Sequence, residues 1–189
     1  MLQETEDELI RAAQDGNFAA FGRLIRPMER QMLTVAAGIA RDRDEADDIY
    51  QDALLAAFRG MHTFKMESRF STWLHRIVVN TALSRKRKLK RMWQHVTQLD
   101  NEGEEQEQYG YRSDQPEEVL LNHELNLRLT AALRVLTEKE RIAFVLCHQQ
   151  EFKLQEAAVI MDCSENSIKT FLFRARSKLK DQLKTYYRH

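Results

Sequence analysis

Residues that break helices are scarce in this chain, and that scarcity limits the possible folds more than any other feature of the sequence. Among 189 residues there are 2 prolines and 6 glycines. No convincing stretch alternates apolar and polar residues as a half-buried strand would, whereas apolar residues recur at the spacing of amphipathic helices. The sequence therefore predicts an all-α fold.

The helical pattern is interrupted between residues 96 and 116, where Glu, Gln, Asp and Gly largely replace apolar residues. A segment of this composition cannot bury enough apolar surface to form a core, and it behaves as a solvated linker. We therefore predict two small helical domains, 1–95 and 117–189, joined by an acidic linker at 96–116. Pro27 lies in the first domain, where it can begin a helix or kink one.

Two helices of the predicted first domain carry functional candidates. The first follows a break near residues 41–44 and turns Ala46, Ile49 and Ala53 to the core, which leaves an acidic outer face. The second is capped by Ser68 or Ser71 and buries a stripe that runs from Phe70 to Thr81. Its opposite face is expected to expose His75, Arg76, Asn80, Ser84 and Arg87, just before the basic run at residues 85–91.

The predicted second domain ends in a helix-turn-helix. An amphipathic helix carries Leu121, Leu125, Leu129, Leu133 and Leu136. Thr137 and Glu140 form a capping box for a helix that runs to about Gln149. Residues 153–179 then indicate a helix, a turn at 162–164 and a second helix capped by Ser164, with Asp162 at a position where a left-handed conformation is expected.

Composition excludes several classes of protein. The 29 basic and 29 acidic residues balance, which disfavours a uniformly basic nucleic-acid coat protein. Cys147 and Cys163 are too few and too far apart for a disulfide framework, and Cys147-His148 lacks further ligands at metal-binding spacing. The start of the chain lacks the pattern of a signal peptide, and no apolar run is long enough for a membrane span. We therefore expect a cytoplasmic protein without membrane insertion, cofactor, small-molecule substrate or catalytic residues.

Three segments resemble the extracytoplasmic-function (group IV) sigma factors of bacterial RNA polymerase. FSTWLHRIVVNTA at 70–82 resembles their promoter-melting and minus-ten-reading segment, and EADDIYQDA at 45–53 resembles the acidic helix that binds the polymerase clamp helices. SIKTFLFRAR at 167–176 resembles their minus-thirty-five-reading helix. The resemblance spans about residues 8–182, and its motifs come in the family's order. Phe171 departs from the family pattern, since arginine is common there, and we expect it to pack against a neighbouring helix.

The resemblance implies a non-enzymatic subunit that binds RNA polymerase core and directs promoter-specific initiation. Its implied partners are promoter DNA, the clamp helices of the largest subunit, the flap of the second-largest subunit and an anti-sigma factor. The polymerase-binding residues would be Asp44, Glu45, Asp47, Asp48, Gln51 and Asp52. The minus-ten residues would be Phe64, Lys65, Ser68, Arg76, Asn80, Arg85, Lys86, Arg87 and Lys88. The minus-thirty-five residues would be Glu165, Asn166, Lys169, Thr170, Phe173, Arg174 and Arg176.

Each of these assignments has a plainer structural alternative. An unstacked base needs an apolar or aromatic pocket with polar groups at its edge, which Phe64 and Asn80 could supply. Phe64 could equally anchor its loop in the core, and the acidic and basic faces could simply be solvated.

Other functions remain open beside the sigma factor. A helix-turn-helix regulator that acts without polymerase is one alternative, although it has no need of the melting segment. The other is a sigma mimic that binds an anti-sigma factor and never DNA.

Overall fold

A computed structural model of the chain describes residues 5–40, 42–97, 133 and 135–186. No strand occurs among them, which confirms the all-α prediction for this part of the chain. The N-terminal unit comprises α1 (Glu6–Gln14), α2 (Phe18–Ile25), α3 (Glu29–Ile39), α4 (Arg43–Gly60) and α5 (Phe70–Thr97), with 3-10 turns at Arg26–Met28 and Met61–Thr63. The C-terminal unit comprises α6 (Glu138–Phe144), a π-helical turn (Val145–Gln149), α7 (Leu154–Ile160) and α8 (Glu165–Tyr186). None of the described helices is long and apolar enough to cross a membrane.

Side-chain caps mark where the N-terminal helices begin. Asn17 accepts a hydrogen bond from the Ala20 amide at 3.1 Å and starts α2. Asp42 accepts from the Glu45 amide at 2.8 Å and starts α4 at the predicted break. Pro27 lies in the 3-10 turn between α2 and α3, where a residue without an amide hydrogen is tolerated.

The beginning of α5 differs from the prediction. Neither Ser68 nor Ser71 caps it, because the Arg69 carbonyl accepts the first backbone hydrogen bond, from the Trp73 amide at 3.2 Å. Aromatic packing fixes this end of the helix instead. The ring of Phe64, in the loop before α5, packs against the rings of Phe70 and Trp73, with centroids 5.7 and 5.1 Å away.

The C-terminal unit follows its predicted elements with one change. Glu140 accepts from the Thr137 amide at 2.9 Å, as the capping box requires. The predicted single helix from 138 to 149 becomes π-helical at Val145, where the Gln150 amide donates to the Val145 carbonyl at 3.0 Å. Leu133 and Leu136 are buried with Ala175. The predicted linker from residue 98 onward, together with Leu121, Leu125 and Leu129, lies outside the described residues.

The predicted helix-turn-helix is present in α7, the turn and α8. Ser164 accepts a hydrogen bond from the Ser167 amide at 3.2 Å and caps α8. Asp162 has φ = 51°, the left-handed conformation expected of it. Ala157 and Ile160 of α7 and Ile168 of α8 are buried between the two helices and the rest of the core.

The two units pack against each other and share one hydrophobic core. A Cβ atom built on Gly38 of α3 would lie 2.8 Å from the Val145 Cγ2 atom, so the close approach depends on glycine. The prediction that His75 faces solvent is wrong, because its side chain is fully buried. Its ring packs edge-on against Phe152, which precedes α7, with centroids 4.8 Å apart.

Candidate functional site

The acidic outer face of α4 is the first of three candidate surfaces. Ile49, Ala53 and Ala57 are buried against the rest of the N-terminal unit, and this burial turns the opposite side of the helix to solvent. That exposed side carries Asp44, Asp47, Asp48, Gln51 and Asp52. Five of the six residues predicted to bind polymerase are therefore available to a partner.

Glu45, the sixth, is placed differently. Its side chain is buried, and its backbone amide donates the hydrogen bond by which the Asp42 side chain caps α4. The sequence pattern gives no reason to distinguish Glu45 from the exposed acidic residues beside it. Its burial depends on packing against helices that are distant in the sequence.

Arg85 of α5 forms ion pairs with the acidic outer face of α4. Its guanidinium donates to Asp48 at 2.8 Å and to Asp52 at 2.5 Å. Burial alone would lower the pKa of Arg85, but the hydrogen bonds to Asp52 and Asp48 outweigh it and raise that pKa. Sequence reasoning assigned Arg85 to DNA and the carboxylates to polymerase, and it did not predict this pairing across α4 and α5.

The loop between α4 and α5 carries three residues predicted to read the minus-ten element. Phe64 is buried in the aromatic cluster, and its carbonyl accepts from Gln14 Nε2 at 2.8 Å, so the loop is anchored to α1. This placement favours the core interpretation of Phe64. Lys65 and Ser68 are exposed, and Met66 between them has φ = 58°.

The outer face of α5 is the second candidate surface. Asn80, Arg87 and Lys88 are exposed, whereas Arg76 and Lys86 are partly covered. Arg76 donates to Asp162 of the helix-turn-helix at 3.3 Å, and Lys86 pairs with a carboxylate of α6.

The outer face of α8 is the third candidate surface. Ile168, Leu172 and Ala175 are buried, and this fixes the orientation of the helix. All seven residues predicted to read the minus-thirty-five element are exposed: Glu165, Asn166, Lys169, Thr170, Phe173, Arg174 and Arg176. Phe173 is 74% exposed, so it contributes to the surface and not to the core. Phe171 is partly buried against the core, as its departure from the family pattern suggested.

Two further contacts restrain the basic side chains of α8. Arg176 lies 3.2 Å from His148 Nε2, and burial together with Arg176 lowers the pKa of His148. Lys178 donates to Glu140 at 2.7 Å. Burial would raise the pKa of Glu140, but the hydrogen bonds from Lys178 and Thr137 lower it. Sequence periodicity contained no signal for either pair, because the partners lie 28 and 38 residues apart.

No metal-binding group of three or more His, Cys, Asp or Glu side chains occurs in the part of the chain that the structure describes. Cys147 and Cys163 are free thiols, and burial raises the pKa of both, which favours the protonated form.

Comparison with known proteins gives matches over both units. Residues 24–92 match the family model for sigma-70 region 2, and residues 126–179 match that for sigma-70 region 4. The ECF RNA polymerase sigma factor SigM of Mycobacterium tuberculosis is 32% identical over 177 residues, which cover 94% of this chain and 84% of the relative. The RNA polymerase sigma-H factor of Pseudomonas aeruginosa is 27% identical over 190 residues, which cover 100% and 98%.

A solved structure is similar over most of its length. It contains the sigma factor RpoE of Bartonella quintana in complex with the anti-sigma factor NepR. RpoE is 27% identical to this chain with a TM-score of 0.68, and the match covers 87% of this chain and 96% of RpoE.

Proposed function

This chain belongs to the extracytoplasmic-function family of RNA polymerase sigma factors, and we propose that it directs promoter-specific initiation through three exposed faces, of which one binds polymerase and two bind DNA. The α8 face carries the strongest argument. Its buried side is wholly apolar at Ile168, Leu172 and Ala175, while its outer side presents polar, basic and aromatic groups. A capped helix with that division suits insertion of its amino end into the major groove.

Positions along α8 separate sequence reading from phosphate binding. Lys169 and Thr170 lie in the second turn, where a docked recognition helix meets base edges. Arg176 lies about two turns further on, where it faces the DNA backbone. The α8 face therefore reads the minus-thirty-five element from its amino end.

The α5 face serves the minus-ten element. Asn80 is exposed and can hydrogen-bond a base edge, and Arg87 and Lys88 continue the same face with positive charge. Lys65 and Ser68 are exposed in the loop that precedes α5. Because Phe64 is buried, its ring is not available to stack on an unstacked base.

The α4 face binds the clamp helices of the largest polymerase subunit. Asp47 is exposed, and Asp48 and Asp52 share Arg85 within the chain. Basic groups on the clamp would meet the exposed Asp47 carboxylate and two carboxylates that Arg85 already holds in place. Such complementarity governs encounter rate and orientation more than affinity.

The remaining assignments follow from family membership. The first domain, 1–95, carries core binding and minus-ten recognition, the linker 96–116 crosses the polymerase cleft, and the second domain, 117–189, reads the minus-thirty-five element and contacts the flap. The protein acts in the cytoplasm and is not an enzyme, since the polymerase supplies catalysis. An anti-sigma factor restrains it, as the complex of RpoE with NepR suggests.

Transcription in vitro with core polymerase tests this function. The full chain should start transcription from a cognate promoter only when core polymerase is present, and Asp47→Lys should reduce core binding while Glu67→Lys, an exposed acidic control in the loop before α5, should not. A chain that shifts promoter DNA alone and gains nothing from core polymerase is an ordinary helix-turn-helix regulator. A chain that binds an anti-sigma factor but neither core polymerase nor DNA is a sigma mimic.

Asn80→Ala tests base reading at the minus-ten element. The loss of one base contact typically costs about 1 to 3 kcal/mol of discrimination. Transcription from a panel of single-base minus-ten variants should therefore lose its preference at one position. If activity falls equally on every promoter, Asn80 has a structural role.

A further inference from the structure

The loop that joins α4 to α5 is fixed at Phe64 by three separate contacts. The Phe64 ring packs against the rings of Phe70 and Trp73. The Phe64 amide donates to the Met61 carbonyl at 3.1 Å. The Phe64 carbonyl accepts from Gln14 Nε2 at 2.8 Å, although Gln14 lies 50 positions earlier in the sequence. The first two contacts join neighbouring segments, whereas the third ties the loop to α1.

α1 is itself packed in place, so the Gln14 side chain is a fixed donor. The capping box of Thr5 and Glu8 begins the helix, and Ile10 and Ala13 are buried in the core. Gln14 is the last residue of α1, and its side chain is partly buried. Movement of α1 against the loop would expose the buried apolar residues to water, which is unfavourable. The hydrogen bond to Phe64 therefore joins the loop to a part of the core that does not shift easily.

Beyond Phe64 the loop adopts a conformation that needs support. We call residues 65–69 the loop tip, and all of them are exposed. Met66 has φ = 58°, a left-handed conformation that a residue with a Cβ atom rarely adopts. Such a conformation persists only where the surrounding structure holds the chain around it. The buried side chains of Phe64 and Phe70 hold the two ends of the loop tip, and Gln14 fixes the peptide group that leads into it.

We propose that Gln14 is a positioning residue for reading of the minus-ten element, because it holds the Phe64 carbonyl and so sets the loop tip in the conformation that presents Lys65 and Ser68 to DNA. This inference rests on the proposed role of the loop in minus-ten recognition. Gln14 acts through the loop and does not itself touch DNA. A chain whose loop tip leaves this conformation is still held on the promoter by its other contacts, but it gains nothing from the cognate base at the loop. Loss of the hydrogen bond therefore reduces discrimination between bases.

Two substitutions separate the hydrogen bond from the bulk of the side chain. Gln14→Met keeps a side chain of similar length and a good helix former, but it has no donor. Gln14→Lys is also a good helix former and restores a donor through its ammonium group. The matched control is Gln31→Met, which removes the same kind of side chain from an exposed position of α3. Loss of one hydrogen bond should lower the population of the held conformation about two- to tenfold.

Amide hydrogen exchange of the full chain tests the hydrogen bond without polymerase. In Gln14→Met, the protected Phe64 amide, followed in a peptide that covers residues 61–70, should exchange about two- to tenfold faster. It should exchange at the original rate in Gln14→Lys and Gln31→Met, and a peptide from α8 should be unchanged in every variant. Unchanged exchange of the loop peptide in Gln14→Met overturns the inference. So does a uniform rise in all peptides, because Gln14 would then support the fold as a whole.

Transcription with core polymerase tests the effect on reading. Lys65→Ala and Ser68→Ala identify the minus-ten position that the loop tip reads. At that position, Gln14→Met should reduce the ratio of cognate to non-cognate transcription about two- to tenfold, and Gln14→Lys should retain it. Ratios for single-base variants of the minus-thirty-five element should stay the same in all variants, and Gln31→Met should change neither set of ratios.

The outcomes separate the inference from the function on which it rests. A merely structural role of Gln14 would lower transcription from every promoter alike and leave each ratio unchanged, and that result overturns the inference alone. Equal loss of discrimination in Gln14→Met and Gln14→Lys overturns it as well, because the donor would then not be the group that matters. If neither Lys65→Ala nor Ser68→Ala changes any minus-ten ratio, the proposed reading by the loop fails, and the inference fails with it.

Discussion

Replacing Gly38 by alanine should weaken the contact between the two units, although alanine is the better helix former. Gly38 and Gly22 both lie inside helices, where alanine in place of glycine stabilises by about 0.5–1 kcal/mol. A Cβ at Gly22 meets nothing within 4 Å, whereas one at Gly38 lies 2.8 Å from Val145 Cγ2. Ordinary contacts are 3.4–4 Å, so α3 and Val145 must separate by 0.6 to 1.2 Å, which is 3.4 − 2.8 and 4 − 2.8.

The expected magnitude follows from overpacking. Forcing extra carbon into a packed site costs about 1–3 kcal/mol. Because the helix contribution is common to both variants, the free energy of unfolding of Gly38→Ala should lie below that of Gly22→Ala by that amount. Adding Val145→Ala should recover part of the loss only in the Gly38→Ala background, which a double-mutant cycle detects.

Urea denaturation followed by circular dichroism measures these free energies. If Gly38→Ala is stabilised as much as Gly22→Ala, the close packing of α3 on Val145 is wrong.

Three further results are expected. Lys169→Ala should change which minus-thirty-five sequences bind, whereas Arg176→Ala should weaken all duplexes similarly and lower the salt slope of binding by about one unit; an unchanged specificity ratio or slope contradicts the groove placement. Burial lowers the pKa of His75, so its contribution to the stability of the folded chain is complete above the ordinary value of 6.5 and is lost as pH falls from there toward the lowered pKa; a urea titration from neutral to mildly acid pH should show less of this loss in His75→Phe than in the unsubstituted chain, and equal losses contradict the assignment. Arg85→Ala should cost about 1 kcal/mol or less because its ion pairs are partly exposed, and it should leave the salt slope of DNA binding unchanged, since this guanidinium is occupied by carboxylates; a lower slope would return Arg85 to the DNA surface.

Local patterns were enough to predict most element boundaries. The cap at Ser164, the box at Thr137 and Glu140 and the left-handed Asp162 each depend on neighbours within a few residues. The exposed outer face of α8 followed in the same way, since the apolar stripe of one helix determines which side faces outward.

Contacts between distant segments were the ones that sequence periodicity missed. A single apolar stripe on α5 assigned His75 to the polar side, but a second unit covers that side and buries the residue against Phe152. Arg85 and the acidic helix were each assigned to an external partner, and the fold pairs them with one another. Such pairings depend on how helices are arranged in space, and helical spacing within one segment contains no information about that.

The left-handed turn of the helix-turn-helix places two demands on a single position. Glycine would adopt the backbone of Asp162 without steric cost, but glycine has no carboxylate for Arg76. Asp162→Gly would therefore relieve the turn and remove the contact together, with opposite effects on stability of similar size. Melting temperature would barely register this substitution, and yet the variant would lose its ion pair between the two units. Variation at this one position could thus change how firmly the helix-turn-helix contacts α5 while leaving the thermal stability of the chain almost unchanged.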